Sequence, residues 1–251
     1  MSGHSKWSTI KRKKGAEDAK RGKIFTRIGR EIAVAVREGG PDPDVNFKLR
    51  LVIEKAKQAK MPKDNIERSI RRGAGLEKGE NLEQLTYEGY GPGGTAVIVR
   101  ALTDNRNRAV ADIRRVFSRH GGNLGENGCV AWMFEQKGYI TIPMNGHDPD
   151  ELFELAVEAG ADDVVFGEDT IEVFSGVHEF QDVQEALVAA NIEMDVAELS
   201  MFPQTTMDLE PDKGLKVMGL VDDLEEIDDV EKVFSNLNIS DELFELYAAQ
   251  A

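Results

Sequence analysis

The sequence predicts an α+β protein: a basic N-terminal three-helix domain followed by two small α/β units, one inserted in the other. Three observations carry this. Residues 20–73 place apolar side chains at helical spacing and stop each run at glycine or proline. From about residue 95, short β-branched runs alternate with helical patterns. Charge is distributed in blocks. Residues 1–75 hold 20 Lys/Arg against 9 Asp/Glu, residues 76–138 hold 8 of each, and residues 139–251 hold 3 against 29, within a total of -15.

Residues 1–19 read as a polar basic arm around Trp7. From Lys20 to about Glu38 the pattern is helical. At about 100° per residue, Ile24, Phe25, Ile28, Ile32, Ala35 and Val36 share one arc. Lys20, Lys23, Arg27, Arg30 and Arg37 lie roughly opposite. Gly39-Gly40-Pro41 stops this helix. Asp44 is the expected cap of a second helix to about Lys60, with Val45, Leu49, Val52, Ile53 and Ala56 inward. Met61-Pro62 breaks it. Asp64 is the expected cap of a short third helix, with Ile66 and Ile70 inward and Arg68, Arg71 and Arg72 in or beside its last turns.

Thr95–Leu102 then reads as a strand, Asn105–Arg119 as a helix capped by Asp104 or Asn105, and Cys129–Phe134 as a second strand. A complete small pattern follows: strand Tyr139–Pro143, helix Pro149–Ala159, strands Val164–Phe166 and Thr170–Phe174, helix Glu179–Ala190, strand Met194–Met201. The order βαββαβ is the ferredoxin-like arrangement. Gln204–Leu209 is a candidate strand, Asp212–Glu226 a helix and Val230–Leu237 a strand, which complete the unit begun at residue 95. The expected domains are 1–78, then 79–137 with 203–241, and an acidic insert over 138–202.

Composition excludes several classes. One cysteine, Cys129, rules out a disulfide framework within the chain and any multi-Cys metal site. His4, His120, His147 and His178 are widely separated, so no metal and no cofactor are expected. No apolar run is long enough to span a membrane. The basic N-terminus has no apolar segment after it, so a secretory signal is not expected and the cytoplasm is.

The chemistry that remains is polyanion binding. Each phosphate neutralised by Lys or Arg releases counterions and adds affinity. Lys6, Lys11, Arg12, Lys13, Lys14, Lys20, Arg21, Lys23, Arg27, Arg30, Arg71 and Arg72 supply that density. The alternatives are a solvated face or a domain that complements the chain's own acidic half. Arg106 and Arg108, at a helix start, suit a phosphate; equally, Arg108 and Asp112 suit a local i, i+4 pair and Asp112 and Arg115 an i, i+3 pair. Gly91-Pro92-Gly93-Gly94 lacks the Lys-Ser/Thr of a phosphate loop and reads as a turn. The run Asp222, Asp223, Glu225, Glu226, Asp228, Asp229 lies on one helix end, where carboxylates diverge, so it reads as a solvated face or a surface for a basic protein. No catalytic set is visible, and no enzyme is expected.

Several motifs resemble the YebC/PmpR family, whose mitochondrial relatives are translational activators of cytochrome c oxidase subunit I. They are Gly3-His4-Ser5-Lys6-Trp7, Asp18-Ala19-Lys20-Arg21-Gly22-Lys23-Ile24-Phe25, Met61-Pro62-Lys63-Asp64-Asn65-Ile66, Tyr87-Glu88-Gly89-Tyr90-Gly91-Pro92-Gly93-Gly94, Asp104-Asn105-Arg106-Asn107-Arg108 and Gly121-Gly122-Asn123-Leu124-Gly125. The resemblance implies a three-domain protein without catalysis. It implies two competing roles: DNA-binding transcriptional regulation, or a ribosome-associated translation factor that binds ribosomal or messenger RNA and assists difficult stretches such as polyproline. The arm departs slightly, with Thr9 and Arg12 where the family commonly has Asn and His.

Overall fold

The computed structural model describes residues 17–77, 82–144, 146–167 and 169–250, with the side chains of 17–21 and 250 outside that description. Three helices come first: α1 (Glu17–Gly39), α2 (Phe47–Gln58) and α3 (Lys63–Gly73). Ile28, Ile32, Ala35 and Val36 of α1 meet Leu49, Ala56, Met61 and Ile66 in one buried cluster. The apolar arc expected of α1 is thus its inward face, except Ile24, which is exposed. A Cβ on Gly73 would sit 2.6 Å from the Ala33 carbonyl and 2.7 Å from Val36 Cβ. Only glycine lets α3 approach α1 this closely.

Two caps differ from expectation. Asn46, not Asp44, caps α2: its Oδ1 accepts from the Leu49 N–H at 3.0 Å. Its Nδ2 donates to the Ala35 and Gly40 carbonyls, both at 2.8 Å. One amide therefore satisfies the start of α2 and the end of α1 together, which a carboxylate cannot do because it has nothing to donate. Val45, expected inward, precedes the helix and is 79% exposed. Pro62 stands at the cap of α3, and Asp64 lies in the first turn instead.

Two four-stranded antiparallel sheets follow. The first contains β1 (Glu83–Tyr90), β2 (Ala96–Thr103), β3 (Asn123–Leu124) and β8 (Val230–Ser235), in the order β3-β1-β2-β8. Helices α4 (Arg106–Arg119) and α7 (Pro211–Glu225) pack with it through Ile113, Phe117, Val217, Leu220 and Leu224, all fully buried. A final helix, α8 (Asp241–Gln250), lies against α7. The second sheet contains β4 (Phe134–Pro143), β5 (Ala161–Phe166), β6 (Thr170–Ser175) and β7 (Val196–Pro203), in the order β5-β6-β4-β7, with α5 (Pro149–Glu158) and α6 (Phe180–Ala189). That is the ferredoxin-like order. The first sheet has the same spatial order with one strand entering early, since β1 precedes the β2–α4–β3 run. The second unit interrupts the first in sequence.

By compactness the described residues divide in two: Met133–Thr205 form one unit, and the three helices, first sheet, α7 and α8 form the other. Three strands differ from expectation. β1 was not anticipated. Gln204–Leu209 contributes one isolated parallel bridge, Met207 to Leu237, rather than a strand. Cys129–Phe134 is not a strand either: Ala131–Met133 form a 3-10 turn and β4 starts at Phe134. The reason is Glu88, whose carboxylate claims the backbone donors there.

Among the described residues no helix is long and apolar enough to cross a membrane.

Candidate nucleic-acid interface

The site begins with the end of α7. The last carbonyls of a helix lack intrahelical donors and carry partial negative charge. The last turn of α7 contains no basic residue, and the acidic run follows it. Donors must come from elsewhere, and α1 supplies them. Arg27 Nη2 donates to the Glu225 carbonyl and, at 3.0 Å, to that of Ile227. Lys23 Nζ lies 3.4 Å from the Glu226 carboxylate and 3.5 Å from that of Asp228. Arg30 Nη1 reaches Asp229 Oδ1 at 3.2 Å.

Asp229 is the centre of this contact. The ladder between β2 and β8 shifts register between Arg100 and Ala101, an irregularity that re-aims the chain entering β8. The Asp229 carbonyl accepts from the Leu102 N–H at 2.7 Å. Its carboxylate, only 5% exposed, also takes Arg108 through Nε at 3.1 Å and Nη2 at 2.9 Å. Asp229 first, then Asp104, holds the Arg108 guanidinium above its ordinary pKa. Asp223 binds Arg119 and His120 at 3.2 and 2.8 Å, and Asp222 accepts from the Tyr247 hydroxyl at 3.1 Å. The acidic run therefore meets the chain's own cations, with Asp229 buried among them while Glu226 and Asp228 stay exposed. Of the two expected local pairs, that of Arg108 with Asp112 does not form among the described residues, and that of Asp112 with Arg115 does, at 3.0 Å.

Other cations remain uncommitted. Arg68 and Arg72 are exposed and make no ion pair or hydrogen bond among the described residues. They stand at the edge of a cleft of about 440 Å³ between α1 and α3. Thr26, Gly29, Arg30, Ala33 and Arg37 line one wall at helical spacing; Asn65, Arg68, Ser69 and Arg72 line the other. Phe25, Met61 and Leu82 complete it, and among the described residues no carboxylate lines it. Arg71 points away and pairs with Glu77 at 2.9 Å. That hydrogen bond, aided by the charges of Arg71, Arg68 and Arg72, outweighs desolvation and holds the Glu77 carboxyl below its usual range.

The fourteen anticipated cations thus divide. Lys6, Lys11, Arg12, Lys13 and Lys14 lie outside the described residues, as do the side chains of Lys20 and Arg21. Lys23, Arg27, Arg30 and Arg108 bind the acidic turn. Arg71 has a carboxylate partner. Arg72 and Arg106 are exposed and unpaired among the described residues. Arg37 lies on the expected basic arc of α1, and Arg68, expected in the last turns of α3, had no binding role assigned. The i, i+3, i+4, i+7 series Asn65, Arg68, Ser69, Arg72 would have found Arg68.

A second buried carboxylate shapes the loop after β3. Glu88 Oε1 accepts from the Gly128 N–H at 2.6 Å, and Oε2 from Val130 and Ala131 at 2.8 and 2.7 Å. Burial pushes this carboxyl up, but the three backbone donors outweigh it and hold it below the usual range. The same burial and the Glu88 charge push the Cys129 thiol up, the opposite of an activated nucleophile. A folded pKa below the unfolded one stabilises fully above the unfolded value and is lost as pH falls through the folded one. Glu88→Gln should therefore cost about 2 kcal/mol at neutral pH. Denaturant titration between neutral and acid pH should show the difference from wild type shrinking as the pH falls. Among the described residues no three His, Cys, Asp or Glu are grouped to hold a metal ion.

These features define a class: an α+β protein whose basic helical bundle is tied to its own acidic turn while keeping two arginines open on a cleft. Residues 5–76 match the family described as TACO1/YebC protein N-terminal domain, and residues 82–237 that described as TACO1/YebC second and third domain. The chain belongs to this family. It is 53% identical to a probable transcriptional regulatory protein of Desulfosudis oleivorans, over 98% of this chain and all of that one. A protein of the same description from Pelotomaculum thermopropionicum is also 53% identical, over 96% of this chain and all of that one. A conserved hypothetical protein of Aquifex aeolicus shares the fold, with a TM-score of 0.82 and 46% identity over 90% of this chain and 93% of its own.

Proposed function

We propose that this chain is a non-enzymatic, cytoplasmic regulator of gene expression that holds nucleic acid on the arginine cleft of α1 and α3 and on the basic arm before it. One observation carries the reading. Among the described residues, Arg68 and Arg72 stay exposed without an ion pair or hydrogen bond on a cleft that no carboxylate lines, in a unit that neutralises many of its other cations internally. Guanidinium groups in that state suit the geometry and charge of phosphate. The description given to the relatives, probable transcriptional regulatory protein, supports regulation and makes DNA the first target.

RNA on the ribosome is the second reading. It is favoured by the shape of the site: the open arginines border a concave cleft rather than a convex helix face fit for the major groove. Phosphate contacts serve either target, because they position without reading sequence. Crosslinking in cells, with sequencing of what is recovered, separates the two. DNA supports the first reading; ribosomal or messenger RNA supports the second. Recovery no greater than that of an Arg68→Glu/Arg72→Glu variant would sink both. The acidic insert has a surplus of carboxylates suited to a basic protein partner, and such a partner would orient the bound nucleic acid.

A further inference from the structure

The cleft between α1 and α3 is too small for a duplex and of the right size for one nucleotide. Its volume, about 440 Å³, falls among small-ligand sites. Its lining also has two chemistries. Its apolar lining is the ring of Phe25, half-buried, with Ala33 and Met61 almost wholly buried beneath it. Arg68 and Arg72 present positive charge one helical turn apart on α3. An apolar pocket beside paired guanidinium groups suits a base with its phosphate attached, since unpaired bases are held by stacking while cations follow the backbone. We propose that the cleft receives one unpaired nucleotide, its base against Phe25 and its phosphate between Arg68 and Arg72. The protein would then prefer unpaired strands, of RNA or DNA, over duplex. This rests on the nucleic-acid reading above and narrows it to a ligand.

The test uses the full chain and fluorescently labelled oligonucleotides of about 12 nucleotides, a length within single-strand site sizes. Single-stranded RNA, single-stranded DNA and the duplex of the same sequence are titrated at equal salt. Unpaired strands should bind about tenfold more tightly than duplex, the scale of one stacked base. RNA binding above DNA would add a contact to the 2′-hydroxyl; equal binding would mean that base and phosphate suffice. Thr26→Trp places an indole in the cleft from an exposed position on α1, so it should remove the preference for unpaired strands while the melting temperature stays unchanged. Phe25→Leu should weaken single-strand binding several-fold and so lower the ratio of single-strand to duplex affinity. Duplex binding as tight as single-strand binding, or a preference that survives Thr26→Trp, would overturn the cleft proposal and leave the nucleic-acid reading standing. Failure of every probe to bind at any salt would overturn that reading itself.

Discussion

Asp229→Ala lowers the free energy of unfolding by about 3 kcal/mol, the scale of breaking a buried ion pair by removing one partner. The carboxylate is almost wholly buried and accepts from two guanidinium groups, Arg30 of α1 and Arg108 of α4. Alanine removes the buried carboxylate that Arg30, itself mostly buried, binds at 3.2 Å. It also loosens the turn whose carbonyls bind Arg27, so the loss should spread to the packing of α1 against the end of α7. Asp229→Asn keeps one acceptor oxygen and should cost less. Urea denaturation gives the measurement: the midpoint should fall while the slope stays unchanged. A shift of less than about 0.5 kcal/mol, typical of a surface site, would mean that this contact does not hold the bundle.

Arg68→Glu/Arg72→Glu should weaken nucleic-acid binding about 100-fold near physiological salt, as two favourable phosphate contacts become two repulsive ones. Both side chains are exposed and neither has a partner among the described residues, so the melting temperature should not move. The opposite pattern is expected of Lys23, Arg27 and Arg30, which bind the acidic turn. Alanine there should lower stability. Fluorescence anisotropy and thermal melting on the same preparations separate the two groups of cations.

The helical unit was legible because its signal is local. Ile28, Ile32, Ala35 and Val36 recur at helical spacing and form the core that this spacing implies. The insert was legible for the same reason: Thr170–Ser175 and its neighbours are short β-branched runs separated by turns. β1 was not, because EQLTYEGY buries only part of one face and carries an acid, Glu88, that looks wrong in a strand. Its role emerges only when the loop from Gly128 to Ala131 folds over it. Asn46 was missed because its second task, closing α1, is set by tertiary contact.

The charge blocks left docking on the chain's own acidic half as an alternative, but which residues meet was not visible in the sequence. Lys23 and Glu226 are 203 residues apart, and no local rule pairs them. Opposite charges at the two ends of a chain suggest separate surfaces. Here they meet in one compact unit, and the cations left over mark the candidate interface.

The salt dependence of binding by the full chain tests the central claim most directly. Phosphate contacts release counterions, so the logarithm of affinity should fall linearly with that of salt concentration, losing well over tenfold between about 50 and 200 mM. Arg68→Ala/Arg72→Ala should lower the slope by roughly 1.5, two contacts' worth. An affinity that is the same at both salt concentrations, or a slope unchanged in the double variant, would contradict the assignment of these arginines to a nucleic-acid phosphate.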